Sequence, residues 1–576
     1  MKFWPNTHAF GGFLVTTRDS QRLRVTMEKS GAARHEAGRH TVYLWNMQMG
    51  RRLFSGVGLV DGKFVRGPVE LARKPETMIG YCASLDIDEV IRVHTDAFGM
   101  YPVFYSDEFV TDRLHLAMMA RPEVDASAVL SMFHDDWMFG QQFNCMRTPV
   151  LGVRVLAVGE RIEIDSRVRV LRDVEPSVDK PIDPADYHDL IRKGADEIRA
   201  NLSAVLDNNK RAVCAITGGR DSRVNLAALV SLGRVQDVRF TTLDVEDDLA
   251  IGSGLVKWAG GTYRSELPVD DWVPLTFEDA YEHRRSVNFG SHHQMNKNGV
   301  TVLHQLNEEP QVLLGGGMGE TFRTMYIEQG FGNHELYSYA GIQAELRRHC
   351  TGEKFFPGLF TEISHLLGET FEGLPGKTIA ERFESHYLNF RNRLHFRGLH
   401  QASFGGAIDI HPLMAPSLLR AARSLPFSEK ASGRVIYDVT RELCPAIARF
   451  QYGTPWRSDM TTSPYFNRAL GPTDIISLVP APELAAAGAR STPAPRKPRP
   501  RMNVDVEALL ETSFKENLDV LSSGMFPELS GQAFRDYAQW AHSKKPQRWR
   551  VLASKVQSVV DYEAVSKEVR GAALAG

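Results

Sequence analysis

The chain has 576 residues, 43% of them hydrophobic and 24% charged, which is enough for about two to four domains with substantial cores. Its 68 Lys and Arg against 70 Asp and Glu give a net charge of -2, so no overall basic charge favours nucleic-acid binding. No apolar run is long enough to cross a membrane, the first residues lack the apolar core of a signal peptide, and the five cysteines follow neither CxxC nor framework spacing. We therefore expect a cytoplasmic protein with core thiols and no nucleic-acid or membrane partner.

Residues 1–180 have the pattern of a domain rich in β-strands. Short alternating runs predict strands at 12–15, 40–44, 89–93 and 114–118. RVHTDAFGMYPVFYSD at 92–107 predicts two strands around an Asp-x-Phe-Gly turn, and TPVLGVRVLAVGERIEID at 148–165 predicts a further strand pair. An ordinary hairpin with glycine at the turn is the alternative interpretation of each segment.

A linker and a helix lead into the next region. VEPSVDKPIDPADY at 174–187 is rich in Pro and Asp, which is typical of a domain linker. Residues 186–206 have an amphipathic helical pattern, and they are followed by VCAITGGRDSRVNLAAL at 213–229.

That seventeen-residue segment predicts a buried strand, a glycine loop and a helix. Thr217, Gly218 and Gly219 have little or no side chain, so backbone N–H groups can approach a ligand closely. Asp221 and Ser222 occupy the predicted N-cap of the helix. The positive end of a helix beside such a loop suits phosphate, although a glycine turn with an Asp-Ser cap is also common in α/β proteins. The loop is not a Walker A motif, because no Gly-Lys-Ser/Thr follows.

Alternation of strands and helices continues after this loop. Residues 238–243 predict a second parallel strand that ends at Leu243, and 247–261 predict a helix ended by glycines. We therefore expect a doubly wound parallel sheet, in which ligands bind beyond the C-terminal ends of the strands.

A second glycine-rich segment is VLLGGGMGETFRTMY at 312–326. It predicts a strand that runs into Gly315, Gly316 and Gly317, after which Glu320 opens a helix. The alternative role of Glu320 is that of an acid complementing the helix dipole.

The remaining segments carry weaker signals. LCPAIARFQYGTPWRSD at 443–459 carries the cations Arg449 and Arg457, which can also be ordinary surface arginines. Residues 484–502 are rich in Ala, Pro and Arg, which predicts a flexible linker at 481–502. A helical pattern then covers 503–576.

These motifs, in this order, resemble the asparagine synthetase family of the ATP-pyrophosphatase (PP-loop) superfamily, which includes β-lactam synthetase and the lasso-peptide cyclases. TGGRDSR is similar to its SGGxDS pyrophosphate loop, DAFGMYPVFY to DPFGxxPLYY in its glutaminase domain, and LLGGGMGETFRTM to LSGDGADELFGGY. The resemblance implies that the loop holds ATP phosphates through Thr217, Gly218, Gly219 and Ser222.

The resemblance also implies further roles. Asp221 would bind Mg²⁺, Glu320 would be a metal ligand and a catalytic carboxylate, and Leu243 would lie on the strand beside adenine. Gly315 and Gly316 would belong to the ATP site, and residues 404–426 would pack beside it and shape the acceptor pocket. The position of the family's catalytic Lys falls on Gly453, so Arg449 or Arg457 would have to supply its charge, although an Arg cannot shuttle a proton.

Three departures affect the expected chemistry. The family's two Asp positions in the second glycine-rich segment become Gly316 and Gly319, and its Lys becomes Gly453. The chain opens with Met1 rather than with the Cys that serves as glutaminase nucleophile, so we expect an inactive first domain.

We therefore expect an N-terminal amidotransferase-like αββα domain without its nucleophile at 1–180 and an ATP-binding domain at 181–480. The expected function is an AMP-forming ligase for peptide or secondary-metabolite biosynthesis, with ATP and Mg²⁺ as cofactors. It would adenylate a small-molecule or peptide carboxylate and join it to an amine, and a homodimer or a biosynthetic partner protein is possible. The alternatives are a nucleotide-binding scaffold without ligase activity and an adenylating enzyme whose acceptor is not an amine.

Overall fold

The computed structural model describes most of the chain. The described residues are 11–134, 139–172, 181–209, 212–241, 246–263, 273–274, 289, 291–293, 304–305, 311–326, 338–396, 407–454, 456, 458–471, 473–474, 514, 517, 531–544 and 546–574. The predicted linkers at 174–187 and 481–502 therefore lie partly and wholly outside the described residues.

The first part of the chain forms two antiparallel sheets. Its strands are β1 Gly12–Thr16, β2 Ala33–Ala37, β3 His40–Trp45, β4 Arg52–Val60, β5 Lys63–Arg66, β6 Val69–Glu70, β7 Met78–Asp86, β8 Ile91–Thr95, β9 Phe104–Tyr105, β10 Phe109–Thr111, β11 Arg154–Val155, β12 Glu160–Ile164 and β13 Val168–Arg172. One sheet has six strands in the order β11-β9-β10-β1-β3-β2. The other has seven, in the order β13-β12-β8-β7-β4-β5 with β6 beside β4.

Successive side chains of β1 point to opposite faces of its sheet, and both faces are buried. Phe13 and Val15 of β1 lie in one core with Leu85 and Val93 of the other sheet. Leu14, between them in sequence, points into a different core that contains helical residues. The three predicted strands at 12–15, 40–44 and 89–93 are confirmed in β1, β3 and β8.

The predicted strand at 114–118 is wrong. Leu114–Ala120 is a helix, α2, and six of its seven residues are buried. Its sequence LHLAMMA consists mainly of Leu, Met and Ala, which favour helix, and burial on all sides hides the periodicity that separates a short helix from a strand.

A parallel sheet forms the framework of the second part of the chain. Its strands are β14 Ala212–Ala215, β15 Val238–Thr241, β16 Thr262–Tyr263, β19 Gln311–Leu314 and β20 Ala407–Ile410. The strands β17 Val273–Pro274 and β18 His304–Gln305 form a separate pair. The order is β16-β15-β14-β19-β20, and all four pairings are parallel. The predicted strands at 213 and 238 are thereby confirmed as parallel neighbours.

The helices cover the sheets. Besides α2 they are α1 Gln21–Lys29, α3 Ala126–Ser131, α4 Pro184–Asn208, α5 Asp221–Leu232, α6 Glu246–Trp258, α7 Tyr339–Arg348, α8 Leu359–Gly373, α9 Ile379–His386, α10 Pro416–Ser424, α11 Phe427–Ala431, α12 Arg434–Leu443, α13 Pro445–Arg449, α14 Gly531–Lys544 and α15 Pro546–Leu574. The predicted helices α4, α5 and α6 are confirmed. Among the described helices, none is both long and apolar enough to cross a bilayer.

The fold is thus mixed α/β, with two antiparallel sheets followed by a five-stranded parallel sheet. The two parts share a core, in which Val57 and Tyr81 of the second antiparallel sheet lie in one cluster with Tyr187 of α4 and Cys214 of β14. Of the five thiols, four are buried and none forms a disulfide, as expected for core residues. The finer assignment to amidotransferase-like and PP-loop domains stays a prediction.

Candidate functional site

The two glycine segments meet at one edge of the parallel sheet. After β14 the chain adds β15 and β16 on one side and then returns to place β19 on the other side. The order of the strands therefore reverses between β14 and β19, and in open α/β sheets such a switch point opens a crevice outside the C-terminal strand ends. We name residues 217–220, which follow β14, the first loop, and residues 315–319, which follow β19, the second loop.

Hydroxyl groups hold the first loop in shape. The Thr217 N–H donates to Ser222 Oγ at 3.0 Å, and the Gly219 N–H donates to Thr217 Oγ1 at 3.1 Å. Helix α5 begins directly afterwards, so the positive end of its dipole lies at the loop. This geometry suits a bound anion.

The N-cap differs by one residue from the sequence-based expectation. Arg220 is the N-cap and makes no side-chain capping bond, while Asp221 is the first helical residue. The physical reason is that the two predicted capping groups have other partners. Ser222 Oγ bonds back to Thr217, and the Asp221 carboxylate pairs with Arg323 across the crevice.

Side chains of the TGGRDSR motif bind the segment 450–456 to the first loop. The buried Arg223 donates to the carbonyl oxygens of Phe450 at 2.8 Å and Gln451 at 2.7 Å, and its guanidinium carbon lies 3.5 Å from the centre of the Tyr452 ring. The Gly453 N–H donates to the Gly218 carbonyl at 3.0 Å. The segment that the resemblance connects with a catalytic Lys therefore does lie at the loop.

Arg220 strengthens the same attachment. Its guanidinium carbon lies 4.2 Å from the centre of the Trp456 ring, which is a cation–π distance. A Cβ added to Gly453 would lie 3.6 Å from the Gly218 carbonyl oxygen, an ordinary contact, so this position has room for a side chain.

Close packing defines the second loop. A Cβ on Gly316 would lie 2.7 Å from the Ser222 backbone nitrogen, and a Cβ on Gly315 would lie 2.8 Å from the His411 ring. Asn225 of α5 donates to the Gly315 carbonyl at 2.9 Å. Met318 in this loop has a left-handed φ of 74°, which is unusual outside glycine and marks local backbone strain. A Cβ on Gly317 would also meet the His411 ring, so the part of the predicted segment 404–426 around His411 packs beside the second loop. Residues 404–406 lie outside the described residues.

An ion pair connects the residues that follow the two loops, Asp221 and Arg323. Arg323 Nη2 lies 2.7 Å from Asp221 Oδ2, and the two side chains are only 13% and 17% exposed. A Cβ on Gly319 would strike the same carboxylate, so Gly319 packs directly against Asp221.

Glu320 lies in the short 3₁₀ turn Gly319–Phe322 at the end of the second loop, so the expectation that it opens an α-helix is wrong. The Tyr387 hydroxyl donates to Glu320 Oε2, and Tyr387 begins the π-helical turn Tyr387–Asn392 that follows α9. Burial raises the pKa of Glu320, and the nearby Asp221 charge raises it further, while the Tyr387 hydrogen bond and the charges of Arg323 and Arg391 act in the opposite direction.

The structure thus brings together Thr217, Gly218, Gly219, Asp221, Ser222, Gly315, Gly316 and Glu320. The Nε of Arg449 donates to the Asp474 carbonyl at 3.1 Å. Leu243 and Arg457 lie outside the described residues. The predicted catalytic roles of the two arginines stay predictions.

Three contributors to the site were not expected from sequence. Arg323 and Tyr387 both contact predicted acids, and Arg223 holds the segment 450–456. Arg223 lies inside the TGGRDSR motif and in the first turn of α5, so the motif itself could have pointed to it. Tyr387 lies 67 residues after Glu320 without a motif of its own, and only the folded chain brings the two together.

The predicted magnesium site at Asp221 and Glu320 stays a prediction, and the residues around it do not fit the ion. Asp221 Oδ1 is buried and lacks a hydrogen-bond partner within the described part of the chain, as a ligand oxygen would. However, Oδ2 is taken by Arg323, and Tyr387 is bonded to Glu320. Over the same described residues, no group of three or more His, Cys, Asp or Glu side chains is arranged to hold a metal.

Comparisons with known proteins add no family. No protein-family model matches the chain, and no curated protein matches it either.

Proposed function

We propose that the chain is an ATP-dependent, AMP-forming ligase whose nucleotide lies between the first and second loops. The observation that supports this most is the position of both glycine loops at the strand-order reversal, beside the N-terminus of α5. The backbone of the first loop, with Thr217 and Ser222, would contact the phosphates.

The proposed reaction has two steps. A carboxylate oxygen of the substrate forms a bond to the α-phosphorus of ATP, and the bond from that phosphorus to the pyrophosphate oxygen breaks with its electron pair. An amine nitrogen then attacks the acyl carbon, the C–O bond to AMP breaks, and the nitrogen loses a proton. A free carboxylate is a poor acyl donor, which is why adenylation precedes the attack.

The Glu320–Tyr387 pair is the proposed acceptor of that proton. A base is most effective when its pKa lies close to the working pH, and burial moves the pKa of Glu320 upward in that direction. The hydrogen bond from Tyr387 fixes the direction of the carboxylate. The substrates remain those proposed from sequence, a small-molecule or peptide carboxylate and an amine that belongs to the same or to another molecule.

A second candidate function is a nucleotide-binding scaffold without ligase activity. The specific observation in its favour is the Arg323–Asp221 ion pair, which neutralises an acid that the resemblance assigns to Mg²⁺ binding. Gly316 and Gly319 in place of acids point in the same direction.

Exchange of labelled pyrophosphate into ATP separates the two functions. The ligase predicts exchange that depends on a carboxylic acid from a panel of small acids and peptides, and Glu320→Gln would retain this exchange but form less amide. Binding of ATP without exchange across the panel would contradict the ligase and support the scaffold. Exchange without any amide product would indicate an acceptor other than an amine.

A further inference from the structure

The Asp221 carboxylate faces a protein cation at the place where a phosphate-binding metal was expected. Arg323 Nη2 lies 2.7 Å from Asp221 Oδ2, and the pair is largely shielded from water. Asp221 is the first residue of α5, so this ion pair lies at the N-terminal end of the helix, directly after the first loop.

The packing around this pair is close. Gly319 lies against the Asp221 carboxylate, and Gly316 lies against the Ser222 backbone, so that neither position can carry a side chain without a shift. Neither position can therefore contribute a further oxygen ligand beside Asp221. Mg²⁺ demands near-octahedral oxygen coordination, and one oxygen of each acid, Asp221 Oδ2 and Glu320 Oε2, already has a protein partner.

The charge balance follows from these contacts. A site of several carboxylates repels phosphate and needs a metal ion to bridge the two, whereas the charge of Asp221 is here compensated by a guanidinium. Arg differs from a metal ion in that its planar group binds carboxylate or phosphate oxygens directly and keeps its charge at all working pH values.

We infer that Arg323, held in position by Asp221, takes the place of the magnesium ion, so that the site binds the triphosphate of a nucleotide without a divalent metal. This inference rests on the proposed nucleotide site and specifies the form of the ligand that it accepts. Asp221 is then a positioning residue for Arg323 rather than a metal ligand.

The test measures binding of α,β-methylene-ATP, which cannot be cleaved to AMP, by calorimetric titration of the full chain in EDTA and in excess Mg²⁺. The wild-type dissociation constant should agree within about threefold between the two conditions. Arg323→Met should weaken binding in EDTA by about tenfold or more, because one charge-assisted contact is lost. Mg²⁺ should restore part of that loss, because Asp221 is then released to bind the ion.

Two further variants keep the test decisive. Arg323→Lys retains the charge and should bind more tightly in EDTA than Arg323→Met. Arg234→Met is the matched control, since Arg234 lies beyond the opposite end of α5 and pairs with Asp207 and Asp237. It should bind like the wild type in both conditions.

Failure of this inference differs from failure of the proposed function. Wild-type binding only in Mg²⁺, or equal binding by wild type and Arg323→Met in EDTA, would overturn the role of Arg323 while the nucleotide site stands. Absence of binding by the wild type in both conditions would overturn the nucleotide site itself.

Discussion

The two glycine loops of the site are held in opposite ways. The first loop depends on side chains, since Thr217 and Ser222 bond within it and Arg223 attaches the segment 450–456 to it. The second loop depends on the absence of side chains, because Gly316 and its neighbours pack against other groups at distances that exclude a Cβ.

This difference separates glycines needed for folding from glycines available to a ligand. A Cβ on Gly219 in the first loop would meet only the Thr217 hydroxyl, at 3.1 Å, and no positive φ is required there. Packing therefore does not explain the glycine at this position, whereas it does explain the one at Gly316. Close approach of a ligand is the remaining physical reason for Gly219.

The largest expected effect is on the attachment of the first loop. Arg223→Met should lower the free energy of unfolding by about 3 kcal/mol, because two carbonyl oxygens at 450 and 451 lose their charged donor. Urea unfolding followed by tryptophan fluorescence would measure the loss. Arg192→Met, in which the replaced side chain is 61% exposed, is the control and should change stability little. Equal stability of the two variants would show that the attachment is not structural.

The next effect concerns the second loop. Gly316→Ala should lower the free energy of unfolding by about 1–3 kcal/mol, because its methyl group meets the Ser222 backbone nitrogen at 2.7 Å. Gly373→Ala is the matched substitution at an exposed glycine with open space around it. If both variants unfolded at the same urea concentration as the wild type, close packing at Gly316 would not explain the glycine there.

A pH-dependent effect is expected at Glu320, whose pKa is raised by burial and by Asp221. A raised pKa means that the folded state favours the protonated acid. The stability that protonated Glu320 contributes to the folded state is therefore complete below the ordinary pKa of 4.5. It is lost as the pH rises through the pKa of Glu320 in the folded state. The stability of the wild type relative to Glu320→Gln should thus fall with rising pH, as measured by urea unfolding at a series of pH values.

Tyr387→Phe gives a second test of the pH dependence that Glu320 confers on stability. It removes the hydrogen bond that lowers the pKa of Glu320, so the fall in relative stability should move to higher pH. A stability difference between the wild type and Glu320→Gln that does not vary with pH would contradict the raised pKa.

The smallest effect on stability is expected at Gly219. Gly219→Ala should change the free energy of unfolding by less than about 1 kcal/mol, because the Thr217 hydroxyl can move away from the added methyl group. Nucleotide binding should nevertheless weaken about tenfold, because the methyl group holds the phosphates away from the backbone. Calorimetric titration would measure this, and unchanged binding would mean that Gly219 does not face the ligand.

Local patterns were sufficient to predict the framework of the site. The apolar run of β14, the glycines after it and the helical spacing of α5 lie within one continuous segment. Interactions between residues close in sequence are therefore enough to predict them. The same holds for β15, α4 and α6. The helix α2 was mistaken for a strand because its residues are buried on all sides, which removes the periodic signal.

The side-chain partners within the site could not be predicted in the same way. Asp221 and Arg323 are separated by 102 positions, and Glu320 and Tyr387 by 67, so only the completed fold brings each pair together. The shift of the helix start from the expected Asp221 cap to Arg220 has the same origin, because a distant arginine engages the carboxylate.

The most direct test of the account is a crystal structure of the full chain with α,β-methylene-ATP. We predict that the β- and γ-phosphates lie against the first loop and the N-terminus of α5, in contact with Ser222 Oγ, with the α-phosphate facing the second loop. A nucleotide bound elsewhere, or an empty crevice at millimolar nucleotide, would contradict it.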